Sequence, residues 1–139
     1  MPDSSSLSDA FDTVGSLVDD DMSERDVENL FLENGFYDAL GYEGTGVDIR
    51  SEFTLPDDRR PDYITLDTNE AVTAVYEFKT TGRDLAPNED QLFHYMESLR
   101  SEYGVLTNGE QFRLYQRGRD RPLVAEPIET LTDSDVRDI

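Results

Sequence analysis

Residues 61–80 read PDYITLDTNEAVTAVYEFKT, and the fold turns on how this stretch pairs. Asp62 to Leu66 and Ala71 to Thr80 are rich in β-branched and aromatic residues and flank the turn-forming run Asp67-Thr68-Asn69-Glu70, which predicts two successive strands. Side chains alternate along a strand, so Glu77 and Lys79 lie side by side on one face while Phe78 points into a core. With Asp62 on the neighbouring strand, its carboxylate approaches that of Glu77. Two carboxylates brought together repel unless a cation lies between them. An all-oxygen set suits a hard ion such as Mg2+, which keeps several waters for a substrate. Lys79 is the sole lysine, against eleven arginines. Beside a metal it is placed to hold or polarise a water, or to stabilise charge on a phosphate. The plainer reading is a surface ion pair between Glu77 and Lys79, worth about a few tenths of a kcal/mol.

Working outward, Val47, Ile49, Ser51, Phe53 and Leu55 alternate with Asp48, Arg50, Glu52 and Thr54, a half-buried strand that ends at the turn Pro56-Asp57-Asp58. The short connections predict an antiparallel meander of three strands. Upstream, Ser23 is a suitable N-cap with Glu24 and Asp26 in the first turn. Val27, Leu30, Phe31, Phe36, Tyr37 and Leu40 extend the helix from Glu24 to Leu40, with Gly35 a weak point and Gly41 a stop. Downstream, Asn88 caps a helix whose apolar face holds Leu92, Tyr95, Met96 and Leu99. Asn108-Gly109 joins Tyr103–Leu106 to Phe112–Gln116 as a hairpin. The predicted order is α-β-β-β-α-β-β. It divides the chain into an acidic N-terminal segment at 1–22 with helical apolar spacing, a domain at 23–122, and an acidic C-terminal segment or linker at 123–139.

The 139 residues suit a single domain, and the 36% hydrophobic fraction includes seven Phe and seven Tyr. The absence of Cys excludes disulfides and thiolate metal sites. No apolar run approaches the roughly 18 residues of a membrane span, and MPDSSSLSDAFD lacks the character of a signal peptide, so a cytoplasmic protein with no membrane partner is expected. A net charge of −20 with almost no lysine looks like the composition of halophilic archaeal proteins. In molar salt the Debye length falls to about 3 Å and screens that repulsion, so local charge matters more than the total. Arg113, Arg117, Arg119 and Arg121 form a basic run that reads as a phosphate-binding edge, with Arg59, Arg60 and Arg83 flanking the carboxylates. His94, the only histidine, reads as a helix-surface residue, and no nucleophilic triad or zinc site is supported. Residues 41–46, GYEGTG, lack the setting and the Lys of a phosphate-binding loop.

Pro61-Asp62, fourteen further residues and Glu77-Phe78-Lys79 resemble the PD-(D/E)XK nuclease signature. With RPDYITL, AVYEFKTTGRDL, DQLFHYM and YGVLTNGEQFRLY in that order, residues 23–117 are similar to the N-terminal nuclease domain of type I restriction enzyme R subunits and related restriction-methylation fusions. The resemblance implies an α/β (α+β-like) restriction-endonuclease fold, a mixed central sheet flanked by helices. It implies Asp62, Glu77 and the Phe78 carbonyl as ligands of Mg2+, with Mn2+ a substitute, and Lys79 as the catalytic lysine. Glu28 matches an acidic position that completes such sites. Gln91 and Tyr95 match a Q-x-x-x-Y pattern on one helix face. The expected function is Mg2+-dependent hydrolysis of DNA phosphodiesters, leaving 5′-phosphate ends, as part of a larger restriction-modification protein or with its subunits. The rivals are a catalytically silent nuclease-fold domain that binds DNA or protein, and a small acidic interaction protein.

Overall fold

The computed structural model describes residues 7–51, 54–57, 59–119 and 121–136. The two strands expected in 61–80 are β2 (Tyr63–Leu66) and β3 (Val72–Phe78), paired antiparallel with Ile64 opposite Val75. Ahead of them β1 (Ile49–Ser51) pairs antiparallel with β2, which completes the meander. The strand read over 47–55 is shorter than expected. It starts only after the Gly44–Gly46 loop folds back on Ile49, and Glu52, Phe53 and Asp58 lie outside the described residues.

From β3 the chain crosses over through α4 (Glu89–Leu99) and returns as β4 (Tyr103–Thr107), parallel to β3 with Glu77 opposite Leu106. A parallel neighbour needs a crossover, and the helix supplies it. The Asn108-Gly109 turn then leads into β5 (Gln111–Gln116). Gly109 holds φ +87, and the Asn108 side-chain carbonyl accepts from the amides of Glu110 and Gln111. Residues 123–139, expected as a segment or linker, add a sixth strand and part of the core. β6 (Val124–Pro127) pairs with β5, the 3-10 turn Ile128–Thr130 follows, and α5 (Asp133–Val136) comes next. Residues 137–139 lie outside the described residues. The mixed sheet has the order β1-β2-β3-β4-β5-β6, the same as the chain.

The pleat sends residues to two cores. On one face Ile49, Ala74, Tyr76, Phe78, Val105, Phe112 and Leu114 pack beneath α1 (Leu7–Leu17), α2 (Glu24–Glu33) and α3 (Phe36–Leu40). The helical spacing at the N-terminus is therefore realised inside the main core, where Phe11 is wholly buried. The Glu24–Leu40 helix is divided, because Gly35 adopts φ +85 and turns α3 away from α2. On the other face Ile64, Leu66, Val75, Leu106 and Tyr115 pack against Leu92, Tyr95 and Met96 of α4. Gly104 permits this approach: a Cβ there would meet the Met96 sulfur at 2.5 Å.

Candidate active site

Asp62 precedes β2 and Glu77 lies near the end of β3, so the antiparallel register brings them together at one end of the sheet. Two backbone bonds lock the pair. The Asp62 amide donates to Glu77 Oε1 at 3.0 Å, and the Phe78 amide donates to Asp62 Oδ2 at 2.8 Å. Phe78 itself points into the core beneath α2, as the alternation requires. Lys79 projects beside Glu77, with Nζ 3.7 Å from Oε2. Both side chains are largely enclosed, 12% exposed for Lys79 and 5% for Glu77, so this is no surface ion pair.

Enclosure sets the electrostatics. Burial, and then the Asp62 charge, push the Glu77 carboxyl up to about 8. Burial also raises Asp62, against the opposing pull of the Phe78 amide and Lys79. Glu28, on the site-facing side of α2, is raised to about 7 by burial and by Asp62. The site therefore crowds negative charge where water solvates it poorly. Asp62 and Glu77 each keep one carboxylate oxygen beyond the one taken by a backbone amide. Such a donor set fits a hard divalent cation that retains waters. Among the described residues no group of three or more His, Cys, Asp or Glu is gathered tightly enough to enclose an ion, so the fit rests on this pair and on the Phe78 carbonyl.

Two elements wall the site. The amide and hydroxyl of Thr81 tie it to the start of α2: Met22 N–H donates to Thr81 Oγ1 and Thr81 N–H donates to the Met22 carbonyl. This tie fixes the loop after Lys79 to the start of the helix that carries Glu28. On the other side Gln91 donates to the Tyr95 hydroxyl at 2.5 Å, and that hydroxyl donates to the Arg60 carbonyl at 3.2 Å. Tyr95 is buried, so its hydroxyl clips the segment before Asp62 onto α4. His94 is paired with Asp57 Oδ2 at 2.7 Å and holds the same segment one turn earlier. Asp57 lies below the usual carboxylate range, through the Arg59 amide foremost and His94 after it.

The predicted arginines separate. Arg60 lines a pocket of about 350 Å3 with Glu28, Asp62 and Tyr63. Arg83 is exposed in the loop after β3, at the same end of the sheet, and its carbonyl accepts from the Asn108 amide group. Arg59 sits near Asp57 at 3.9 Å. Arg113 points to the α4 face and is held by Glu89 at 3.3 Å and by the Tyr115 hydroxyl. Arg117 and Arg119 follow Gln116, which pairs with Tyr103, and Tyr103 pairs with Ala74. The site residue Phe78 is four positions along β3 from Ala74, or about 13 Å. Arg117 and Arg119 thus belong to the opposite end of the sheet, where they line a separate groove with Phe93 and Met96. Asp120 lies outside the described residues.

Sequence reasoning missed Glu24 and Arg25. Glu24 adds to the charge felt by Asp62 and Glu77, and Arg25 lines the 350 Å3 pocket. Their signal was present, since Glu24 is four residues before Glu28 and Arg25 three, the spacings of one helix face.

Among solved structures, the cryo-electron microscopy structure of a DrdV–DNA complex shares the fold. Its TM-score is 0.58 at 13% identity over 88% of this chain, which spans 12% of the length of that chain. No curated protein matches the chain. No helix among the described residues is long and apolar enough to cross a membrane. The sequence family described as type I restriction enzyme R protein N terminus matches residues 47–122, a span that holds Asp62, Glu77, Lys79, the α4 clip and the β4–β5 hairpin. With that match over more than half its length, the restriction-endonuclease-like sheet and the signature residues at its end, this chain belongs to the type I restriction enzyme R protein N-terminal family.

Proposed function

We propose that this restriction-system, nuclease-like domain hydrolyses DNA phosphodiester bonds with Mg2+ held by Asp62, Glu77 and the Phe78 carbonyl. The observation that carries the reading is the enclosed ammonium of Lys79 beside the Glu77 carboxylate, itself locked to Asp62 through two backbone amides. When bound, the divalent ion supplies Lewis acidity towards the scissile phosphate and lowers the pKa of a coordinated water. Lys79 orients that water and offsets charge that develops on the phosphate in the transition state. Glu28 borders the pocket from α2 and can accept or return a proton near neutral pH, since its carboxyl is raised to about 7. Gln91 and Tyr95 hold the Arg60–Asp62 segment in register with Glu77. Arg60 and Arg83 face the same end of the sheet and suit phosphate contact. The charge of −20 with one lysine suits a salt-rich cytoplasm.

The test is cleavage of plasmid and linear DNA over a KCl series from about 0.2 to about 3 M, spanning weak to strong screening. Each arm is run with Mg2+, with Mn2+ and with chelator, beside Lys79→Ala. Metal-dependent cutting that Lys79→Ala abolishes supports the nuclease. Equal cutting by both proteins sinks it. The second reading, a silent nuclease-fold domain of a larger restriction protein, is favoured by the small donor set. It predicts DNA binding with no cutting and no metal-induced rise in melting temperature.

A further inference from the structure

The 350 Å3 pocket beside the carboxylates has two cationic walls. Arg25 reaches it from the first turn of α2, and Arg60 reaches it from the segment that Tyr95 clips to α4. Glu28, Asp62 and Tyr63 lie between them. The volume equals roughly a dozen water molecules, enough for a phosphodiester with its solvation. Three observations bear on what Arg25 does there. The chain has 32 acidic residues against eleven arginines, so an arginine has an abundance of carboxylates to pair with. Yet neither Arg25 nor Arg60 makes an ion pair among the described residues. Arg25 also occupies the second position of a helix, where the macrodipole favours an anion and a cation is slightly unfavourable. Capping does not require it, since Ser23 and Asp26 already form a reciprocal capping box. An unpaired guanidinium held at a disfavoured end and turned towards a pocket is placed for an anion that arrives from outside.

We propose that Arg25 and Arg60 form a two-point clamp on the nucleic-acid backbone, each taking phosphate oxygens on one side of the Asp62–Glu77 site, with Arg25 a substrate-contacting residue. The proposal rests on the nuclease reading above and adds to it the helical wall of the substrate groove. A guanidinium presents a fork that matches phosphate oxygens. The clamp places the strand over the carboxylates before chemistry begins, so its loss appears in binding rather than in turnover. The competing role is local: Arg25 as a counter-charge that lowers the Glu28 carboxyl.

The experiment measures binding of a duplex oligonucleotide to the full chain across a KCl series, with Ca2+ in place of Mg2+ to hold the complex uncut. Wild type is compared with Arg25→Ala, Arg25→Lys and Arg60→Ala, each checked for an unchanged melting temperature. The expected result is about a tenfold loss of affinity in Arg25→Ala at low salt, and a salt slope reduced by about 1 in each alanine variant. Arg25→Lys should recover the slope, since it restores the charge. Steady-state cleavage should show a raised KM with kcat nearly unchanged. An Arg25→Ala protein that keeps the wild-type slope and KM, and only moves the acid limb of the pH profile, overturns the clamp while the nuclease reading stands. If wild type neither cuts nor binds DNA at any salt, the functional reading fails and the clamp fails with it.

Discussion

At the scale of single residues, Glu77 is the group whose chemistry the fold most alters. Its carboxyl is raised to about 8 by burial and by the Asp62 charge, while in the unfolded chain it titrates near the ordinary glutamate value of 4.5. Between those values the folded state binds more protons than the unfolded state, so this group makes stability fall as pH rises through that window and level off above it. Glu77→Gln should flatten that part of the stability–pH curve, which urea melts at a series of pH values will show as a difference between the two proteins. With Glu77 a ligand, as proposed above, metal has to displace that proton, so the Mg2+-induced rise in melting temperature should be larger above pH 8 than near pH 6, with proton release measurable by calorimetry in two buffers. A metal effect independent of pH would remove Glu77 from the ligand set. Tyr95 provides a different kind of test. Tyr95→Phe deletes a buried hydroxyl and leaves the Gln91 amide and the Arg60 carbonyl without this partner. The expected cost is about 1 kcal/mol in unfolding free energy, with weaker metal binding because Asp62 loses its register.

At the scale of elements, the α4–β4 contact sets how firmly the site-bearing strand is held. Gly104→Ala would place a methyl group 2.5 Å from Met96 Sδ and 3.2 Å from Leu92 Cδ2. The Met96 sulfur is the end of a flexible side chain, so the helix shifts rather than detaches, and a loss of about 1–3 kcal/mol is expected in denaturant melts. A neutral result would mean that the crossover helix packs more loosely than this spacing implies. The same element shows what was legible in advance. The period-2 runs of the meander, the Asn108-Gly109 hairpin and the apolar stripe of α4 announce themselves locally, and the structure has each of them. The cap expected of Asn88 is not made: its backbone is helical and its side-chain amide donates to the Asp84 carbonyl instead of accepting from the first turn. Asp62 and Glu77 were expected to meet, and the register brings them together. β6 was not legible, because Val124–Pro127 is half exposed and carries no alternation; its place comes from backbone pairing with β5. The separation of Arg117 and Arg119 from the carboxylates was equally hidden. Spacing along β5 gives which face a residue occupies, but which end of the sheet it reaches follows only from the pairing Tyr103–Gln116.

At the scale of the whole molecule, aromatic packing opposes a heavy electrostatic load. Phe11, Phe31, Phe36 and Phe112 form one cluster with centroid separations from 5.2 to 6.3 Å, joining α1, α2 and α3 to β5. Phe11→Ala should cost about 3–5 kcal/mol. Against this packing stands a net charge of −20, which repels itself most strongly in dilute buffer. Melting temperature should therefore climb as KCl rises towards molar concentration, with the steepest gain where the Debye length contracts from about 10 to about 3 Å. A melting temperature indifferent to salt would show that the carboxylates are spaced widely enough to tolerate one another.

The chain visits its strands in spatial order, so nearly every neighbour in the sheet is also a neighbour in sequence. Outside the sheet the contacts span more of the chain, most of all where α1 meets the 3-10 turn after β6: the Cα of Gly15 presents its open side to Ile128, close enough that a Cβ would stand 3.4 Å from the Ile128 methyl. Contacts of short sequence separation form early in folding, and a loop that spans the domain closes late. α1 and the turn after β6 are thereby stitched side by side, which makes the domain a natural subject for circular permutation. A short tether between them, with new ends opened at the exposed Gly82 loop or at Gly118, should return the same sheet from a rearranged gene. Its folding would speed up, because the slowest closure has been made in advance by a covalent bond.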